Sequence, residues 1–143
     1  MIRKMQEMDL ERIEHIEKQC FKDPWKSKDF LYELNENPFS TGYVYIENNE
    51  IVAYAFLWIT FEIAQIANIA TDPMYRHQQI GYKMMQEMMQ VARDQECEFM
   101  SLEVRASNHY ALSLYEKCGF IQVNISKGYY PDGEDAIVMT VAL

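Results

Sequence analysis

From Thr41 onward the apolar residues of this chain begin to alternate, and that change of period narrows the possible fold more than any other feature. Residues 41–47 and 50–60 read as strands on either side of Asn48-Asn49, a pair suited to a tight hairpin turn. A third strand, 63–70, stops at Thr71-Asp72-Pro73, because proline removes a ladder donor. The period then becomes helical over 80–93, reverts to strand over 99–104, and is helical again over 108–117. In that last helix Ala111, Leu114, Tyr115 and Cys118 share one stripe, and Gly119 follows at the C-cap position. Closing strands are predicted near 120–126 and 135–141.

The first forty residues add a short strand at 2–5 and two helices. Asp9 is predicted to cap the first, whose apolar positions are Leu10, Ile13 and Ile16. Asp23-Pro24-Trp25 breaks it, and Ser27 is predicted to cap a second helix with Phe30, Leu31 and Leu34 on one side. The order β-α-α-β-β-β-α-β-α-β-β predicts a mixed α/β domain, with a β-α-β-α-β segment inside a largely antiparallel sheet.

No repeat, linker or low-complexity tract divides the 143 residues, so a single domain over 1–143 is expected. A hydrophobic fraction of 49% excludes disorder. The longest nearly apolar run, 51–59, is too short to cross a bilayer, and the first residues lack the apolar core of a signal peptide. The three scattered cysteines form no C-x-x-C and no zinc spacing, which fits reduced thiols in a cytoplasmic protein without a metal. A net charge of −9 opposes a nucleic-acid surface. It suits a basic protein partner, and it equally suits plain solubility.

Two segments carry chemistry. The first runs Asn68-Ile69-Ala70-Thr71-Asp72-Pro73-Met74-Tyr75-Arg76-His77-Gln78-Gln79-Ile80-Gly81-Tyr82, a strand passing through a polar loop into a helix. Unpaired amides and the positive dipole end at a helix N-terminus suit a diphosphate, with Arg76 assisting. On generic grounds the same residues also read as a solvated connection. The second is Leu102-Glu103-Val104-Arg105-Ala106-Ser107-Asn108, followed by Leu114-Tyr115-Glu116 and Gly119-Phe120. Alternation puts Glu103 on the face opposite Met100, Leu102 and Val104, where a solvated surface acid and a catalytic carboxylate are both consistent. Tyr115 lies on an apolar stripe, where a core aromatic is the plainer reading. His15 and His109 have no partner in the pattern, and Met84, Met85, Met88 and Met89 read as core.

These residues resemble the GNAT superfamily of N-acetyltransferases, and within it the ribosomal-protein alanine acetyltransferases (RimI type). The likeness rests on the LEVRASN and LYE-x-x-GF stretches, Pro24-Trp25, Asn68-Ile69-Ala70, Tyr129-Tyr130-Pro131 and Glu134-Asp135-Ala136-Ile137-Val138-Met139, which span most of the chain in order. Arg76 and Gly81 match the ends of the family's [Q/R]-x-x-G-x-[G/A] loop, while Gln79 replaces its internal glycine. If that position needs a positive φ, a non-glycine residue there costs on the order of 1–3 kcal/mol.

The resemblance implies a GNAT fold, with a splayed, mostly antiparallel sheet and flanking helices. It implies acetyl-CoA as cosubstrate, its pyrophosphate on the loop of Arg76, His77, Gln78, Gln79, Ile80, Gly81 and Tyr82. Its arm would meet the backbone of Ile69, Ala70 and Thr71 and the side chain of Asn108. Glu103 takes the role of general base and Tyr115 that of general acid. The implied acceptor is the N-terminal alanine of small-subunit ribosomal protein eighteen, a basic partner. Acetylation of a small amine or a lysine, or binding of acyl-CoA without catalysis, are the alternative expectations.

Overall fold

The computed structural model describes residues 1–143, and all eleven predicted elements are present. In chain order they are β1 (Ile2–Lys4), α1 (Leu10–Cys20), α2 (Ser27–Asn35), β2 (Ser40–Glu47), β3 (Glu50–Thr60), β4 (Ile63–Thr71), α3 (Ile80–Asp94), β5 (Phe99–Arg105), α4 (His109–Lys117), β6 (Ile121–Ser126) and β7 (Ala136–Ala142). Short 3-10 turns at Glu7–Asp9 and Pro73–Tyr75 complete the chain.

The strands form one seven-stranded sheet in the order β1-β2-β3-β4-β5-β7-β6. Only β4 and β5 pair in parallel. The other neighbours are antiparallel. Asn48 and Asn49 take φ of 51° and 63°, the left-handed pair of a two-residue hairpin loop whose twist matches the flanking strands. The apolar run of residues 51–59 lies within β3, which is buried on both faces. Ala53, Ala55 and Leu57 pack toward α3, while Tyr54 and Phe56 pack toward α1 and α2 with Ile13, Ile16 and Phe30. A strand covered on both sides reads as a continuous hydrophobic run, and β3 does. Met84, Met85, Met88 and Met89 fill the α3 side of the core. No helix is long and apolar enough to cross a membrane.

Three local expectations are corrected. Asp9 does not cap α1 with its side chain; it sits in the preceding turn, where its carboxylate pairs with Arg3 at 2.8 Å and accepts the Gln6 amide at 2.7 Å. Ser27 is the first residue of α2 rather than its cap, and its hydroxyl turns to Glu14. The helix start is closed instead by Asp29, which accepts the Lys26 amide at 2.8 Å. Leu31 is exposed, and the buried neighbour of Phe30 on α2 is Glu33, held by the Trp58 indole and Asn37. In each case a polar side chain took a partner other than the one that simple capping or stripe spacing favours.

Candidate active site

The parallel seam between β4 and β5 lasts only from Ile63↔Phe99 to Gln65↔Ser101. Past Gln65 the two strands part. Their other edges stay paired: β4 follows β3 to Thr71, and β5 follows β7 along its whole length. A bulge lies at the point of parting, since Asn68 pairs with Phe56 and Ile66 with Leu57, leaving Ala67 as the extra residue. Such a residue bends its strand and re-aims the residues beyond it. The gap is a cleft of about 440 Å³.

Of the residues singled out in the sequence, Ile69, Ala70, Thr71, Arg76, Gly81, Glu103, Asn108 and Tyr115 line this cleft together. His77, Gln78, Gln79, Ile80 and Tyr82 do not line it; they form the turn and first helical residues at its edge. Along residues 66–71 every second amide and carbonyl faces away from β3, toward the gap, as strand geometry requires.

The loop into α3 exposes a run of backbone amides at a left-handed turn. Asp72 fixes its start by accepting the Met74 amide at 2.9 Å and pairing with Arg12. His77 and Gln79 then take φ of 66° and 62°. The backbone amides of residues 77–82 donate to no carbonyl or side chain of the protein. Consecutive free amides at a left-handed turn form an anion-binding concavity, reinforced by the helix dipole. Gln79 thus adopts the positive φ that a glycine would take at no cost. Gly81 has its own reason: a Cβ there would lie 3.0 Å from the Leu114 side chain and 3.5 Å from that of Thr71, so any larger residue requires Leu114 to give way. The Arg76 guanidinium turns inward, 3.6 Å from the Cys20 sulfur and over the Tyr110 ring at 5.4 Å.

The sides of the cleft carry two ionisable groups with opposite surroundings. Glu103 leaves one carboxylate oxygen, Oε2, buried without a hydrogen-bond partner, a costly state unless some other molecule donates to it. Its neighbour Tyr129 has its phenol pushed up, by burial first and then by the charge of Glu103 and hydrogen bonding to that carboxylate. Tyr115, on α4, is 7% exposed, and burial drives its phenol far above the ordinary range, so it stays protonated. Asn108 caps α4, its Oδ1 accepting the Ala111 amide at 3.1 Å, which leaves its side-chain N–H groups free.

Residues 10–120 match the Acetyltransferase (GNAT) family. The chain belongs to that family. A Bacillus subtilis (strain 168) protein described as a candidate ribosomal protein bS18-alanine N-acetyltransferase is 37% identical over 99% of this chain and 95% of its own length. The Escherichia coli (strain K12) ribosomal protein bS18-alanine N-acetyltransferase is 32% identical over 99% of this chain and 97% of its own. A crystal structure of the Escherichia coli ribosomal-protein-S18-alanine N-acetyltransferase superposes with a TM-score of 0.90, covering 99% of this chain and 92% of that one. The GNAT fold, and the resemblance to ribosomal-protein alanine acetyltransferases, are therefore as the sequence motifs implied.

Two features of this GNAT cleft went unnoticed in the sequence. Glu17 is 2% exposed beneath it and accepts the Trp25 amide at 2.9 Å, the Asn68 amide side chain at 2.8 Å and the Tyr54 hydroxyl. Its signal was available: Glu17 falls four residues after Ile13, on the buried stripe of α1, where a charge is out of place. Arg105 is the second. Its guanidinium gathers carboxylates from two loops, and sequence spacing gives no hint of that.

Proposed function

We propose that this chain transfers the acetyl group of acetyl-CoA to the N-terminal α-amine of a protein, with the N-terminal alanine of small-subunit ribosomal protein bS18 as acceptor. The observation that carries this is the unpartnered Glu103 Oε2 in the gap between β4 and β5, in a chain similar at full length to enzymes named for that reaction. Bound acetyl-CoA supplies an activated thioester carbonyl. The free amides of residues 77–82 and the Arg76 guanidinium suit its diphosphate. Polar backbone of Ile69 and Thr71 faces its arm as an added strand would, while the Ala70 backbone between them, expected to join it, pairs with β3; Asn108 contributes a side-chain N–H.

Glu103 accepts the amine proton, directly or through one water, as the nitrogen attacks. Tyr115, protonated at any working pH, donates to the departing sulfur. The acetyl group passes directly between the two substrates, without a covalent enzyme intermediate. General acid–base help of this kind contributes about 10²–10⁴-fold.

The test compares two peptides by mass spectrometry. One copies the basic N-terminus of the ribosomal protein and begins with alanine; the other is the same peptide blocked at its α-amine and carrying a lysine. Acetylation of the first alone is expected. Modification of the lysine, or preference for free small amines, overturns the N-terminal reading.

A further inference from the structure

Arg105 ends β5, two residues beyond Glu103 on the same face, and its side chain is 13% exposed. Nη2 donates to Asp23 Oδ2 at 2.7 Å, in the α1–α2 loop. Nη1 donates to both oxygens of Asp132, at 3.0 and 2.9 Å, and to Glu134 Oε1 at 2.9 Å, in the β6–β7 loop. The guanidinium also lies over the Tyr130 ring, 4.1 Å from its centre. Glu134 passes the restraint on, since its second oxygen accepts the Ser107 amide at 2.8 Å. Asp23, Arg105 and Tyr130 all line the cleft.

Arg105 is thus the main of two ties between these loops, which border the cleft. Three carboxylates converge on the guanidinium, and the other nearby cation is Lys22, 3.9 Å from Asp132 and largely exposed. Without Arg105, Asp23 on one bank and Asp132 and Glu134 on the other would present like charges, whose repulsion drives the banks apart. A planar guanidinium with several fixed donors can bridge carboxylates on two sides, which a lysine ammonium does less well.

We propose that Arg105 is a positioning residue for the acceptor: by holding Asp23 against Asp132 and Glu134 it fixes the width and orientation of the mouth through which the amine reaches Glu103. This rests on the N-terminal acetylation reading for the nature of the acceptor, but not for the clasp itself. Arg105, Asp132 and Glu134 make no hydrogen bond or ion pair with residues 76–82, so the clasp acts mainly on the acceptor; its one link toward the acetyl-CoA side is the Ser107 amide, next to Asn108.

Hydrogen exchange on the full chain tests the clasp independently of any substrate. Arg105→Gln should speed amide exchange at residues 21–26 and 127–135 together and leave residues 76–82 unchanged. Steady-state kinetics with the alanine-initiated peptide should show its KM raised roughly ten- to hundredfold, since small misplacements are this costly, with the KM of acetyl-CoA changing far less. Arg105→Lys should recover part of the loss. Adding Asp23→Asn to Arg105→Gln should do less harm than the two separate effects combined, because it removes one of the repelling charges. Should Arg105→Gln fail to fold, Asp23→Asn serves, at a side chain 49% exposed; it must loosen 127–135 from across the cleft. Exchange that rises on one bank alone, or a parallel loss of acetyl-CoA affinity, overturns the proposal. A wild-type chain that ignores the peptide refutes the acceptor reading, while the exchange result still decides the clasp.

Discussion

Glu103 and Arg105 sit two residues apart on one face of β5, the first with an unpartnered carboxylate oxygen and the second bound to three carboxylates. Strand alternation places both toward the cleft, while Met100, Leu102 and Val104 bury the opposite face. The arrangement keeps the arginine from neutralising the glutamate. Its charge is committed to Asp23, Asp132 and Glu134, so Glu103 keeps an accepting oxygen for an incoming donor.

Glu103→Gln removes that proton acceptor with little change in shape. Turnover is expected to fall by about 10²–10⁴-fold where chemistry limits the rate. Affinity for acetyl-CoA, measured by calorimetry, should hold, because Glu103 stands apart from the anion loop. Near-wild-type turnover would remove Glu103 from the mechanism.

The pH profile separates the acceptor's titration from that of Tyr115. An α-amine titrates near pH 8, so kcat/KM for the peptide should rise with pH and level off above that. Burial holds the Tyr115 phenol far above its ordinary value of 10.0, so no decline should follow as pH passes 10. Tyr115→Phe should lower turnover about 10²–10⁴-fold while keeping the buried ring. A wild-type descending limb centred near the ordinary phenol value would contradict a buried, protonated tyrosine.

The sequence motifs located the cleft better than they described its walls. Period alone placed β3, β4, α3 and β5, because apolar alternation and stripes are set by which face is buried. Insertion of β7 between β5 and β6 was not visible, since strand order depends on pairings distant in sequence. The bulge at Ala67 was hidden for a related reason: its neighbours are ordinary strand residues, and only the register against β3 reveals it. Glu17 and Arg105 were missed because a buried or bridged charge is defined by partners from other elements. Asp23 lies 82 residues from Arg105. Gln79 went the other way: its motif position raised the question of a positive φ, and the backbone there has one.

Gln79→Gly tests that conformation. A left-handed φ costs a non-glycine residue about 1–2 kcal/mol, against roughly 0.5–1 kcal/mol of extra unfolded-chain entropy for glycine. The strain is the larger, so Gln79→Gly should stabilise the chain, raising Tm by about 2–4 °C per kcal/mol gained. Acetyl-CoA should also bind at least as tightly, since the amides of residues 77–82 keep their geometry. Arg76→Glu, by contrast, should reduce the thermal shift that acetyl-CoA produces. A lower Tm for Gln79→Gly would show that the glutamine side chain stabilises the loop.

Glu17 anchors the floor of the cleft by joining α1, the Trp25 loop, β3 and β4 through three donors. Glu17→Ala leaves those donors buried and unsatisfied, at about 1–3 kcal/mol each. Glu17→Gln keeps one acceptor but sets an N–H against a donor, so its cost should be smaller. Urea unfolding should show both midpoints lowered, alanine more than glutamine, with the slope unchanged. Equal stability for all three chains would mean that the network contributes nothing net.

Acceptor choice should follow from amine chemistry and charge together. At pH 7.5 an α-amine near pKa 8 is neutral about two hundred times more often than a lysine near 10.4. The site therefore favours Nα before any pocket contact is counted. The mouth adds a charge preference: Asp23, Asp132 and Glu134 outnumber Arg105 and Lys22 by one, within a chain of net charge −9. Basic residues following the acceptor alanine should speed encounter, and salt should screen this within a Debye length of about 8–10 Å. Raising salt should thus increase the peptide's KM while moving that of acetyl-CoA less, because on the proposed reading the latter is held mainly by fixed backbone amides. Replacing the first alanine by a bulky residue should lower kcat/KM, since on the proposed clasp Tyr130 and the two tied loops bound the amine's approach to Glu103. Replacing the following basic residues by acidic ones should lower it further, and only at low salt. A peptide series whose kcat/KM is indifferent to both first-residue size and downstream charge would sink the ribosomal acceptor and leave the acetyl-CoA chemistry intact.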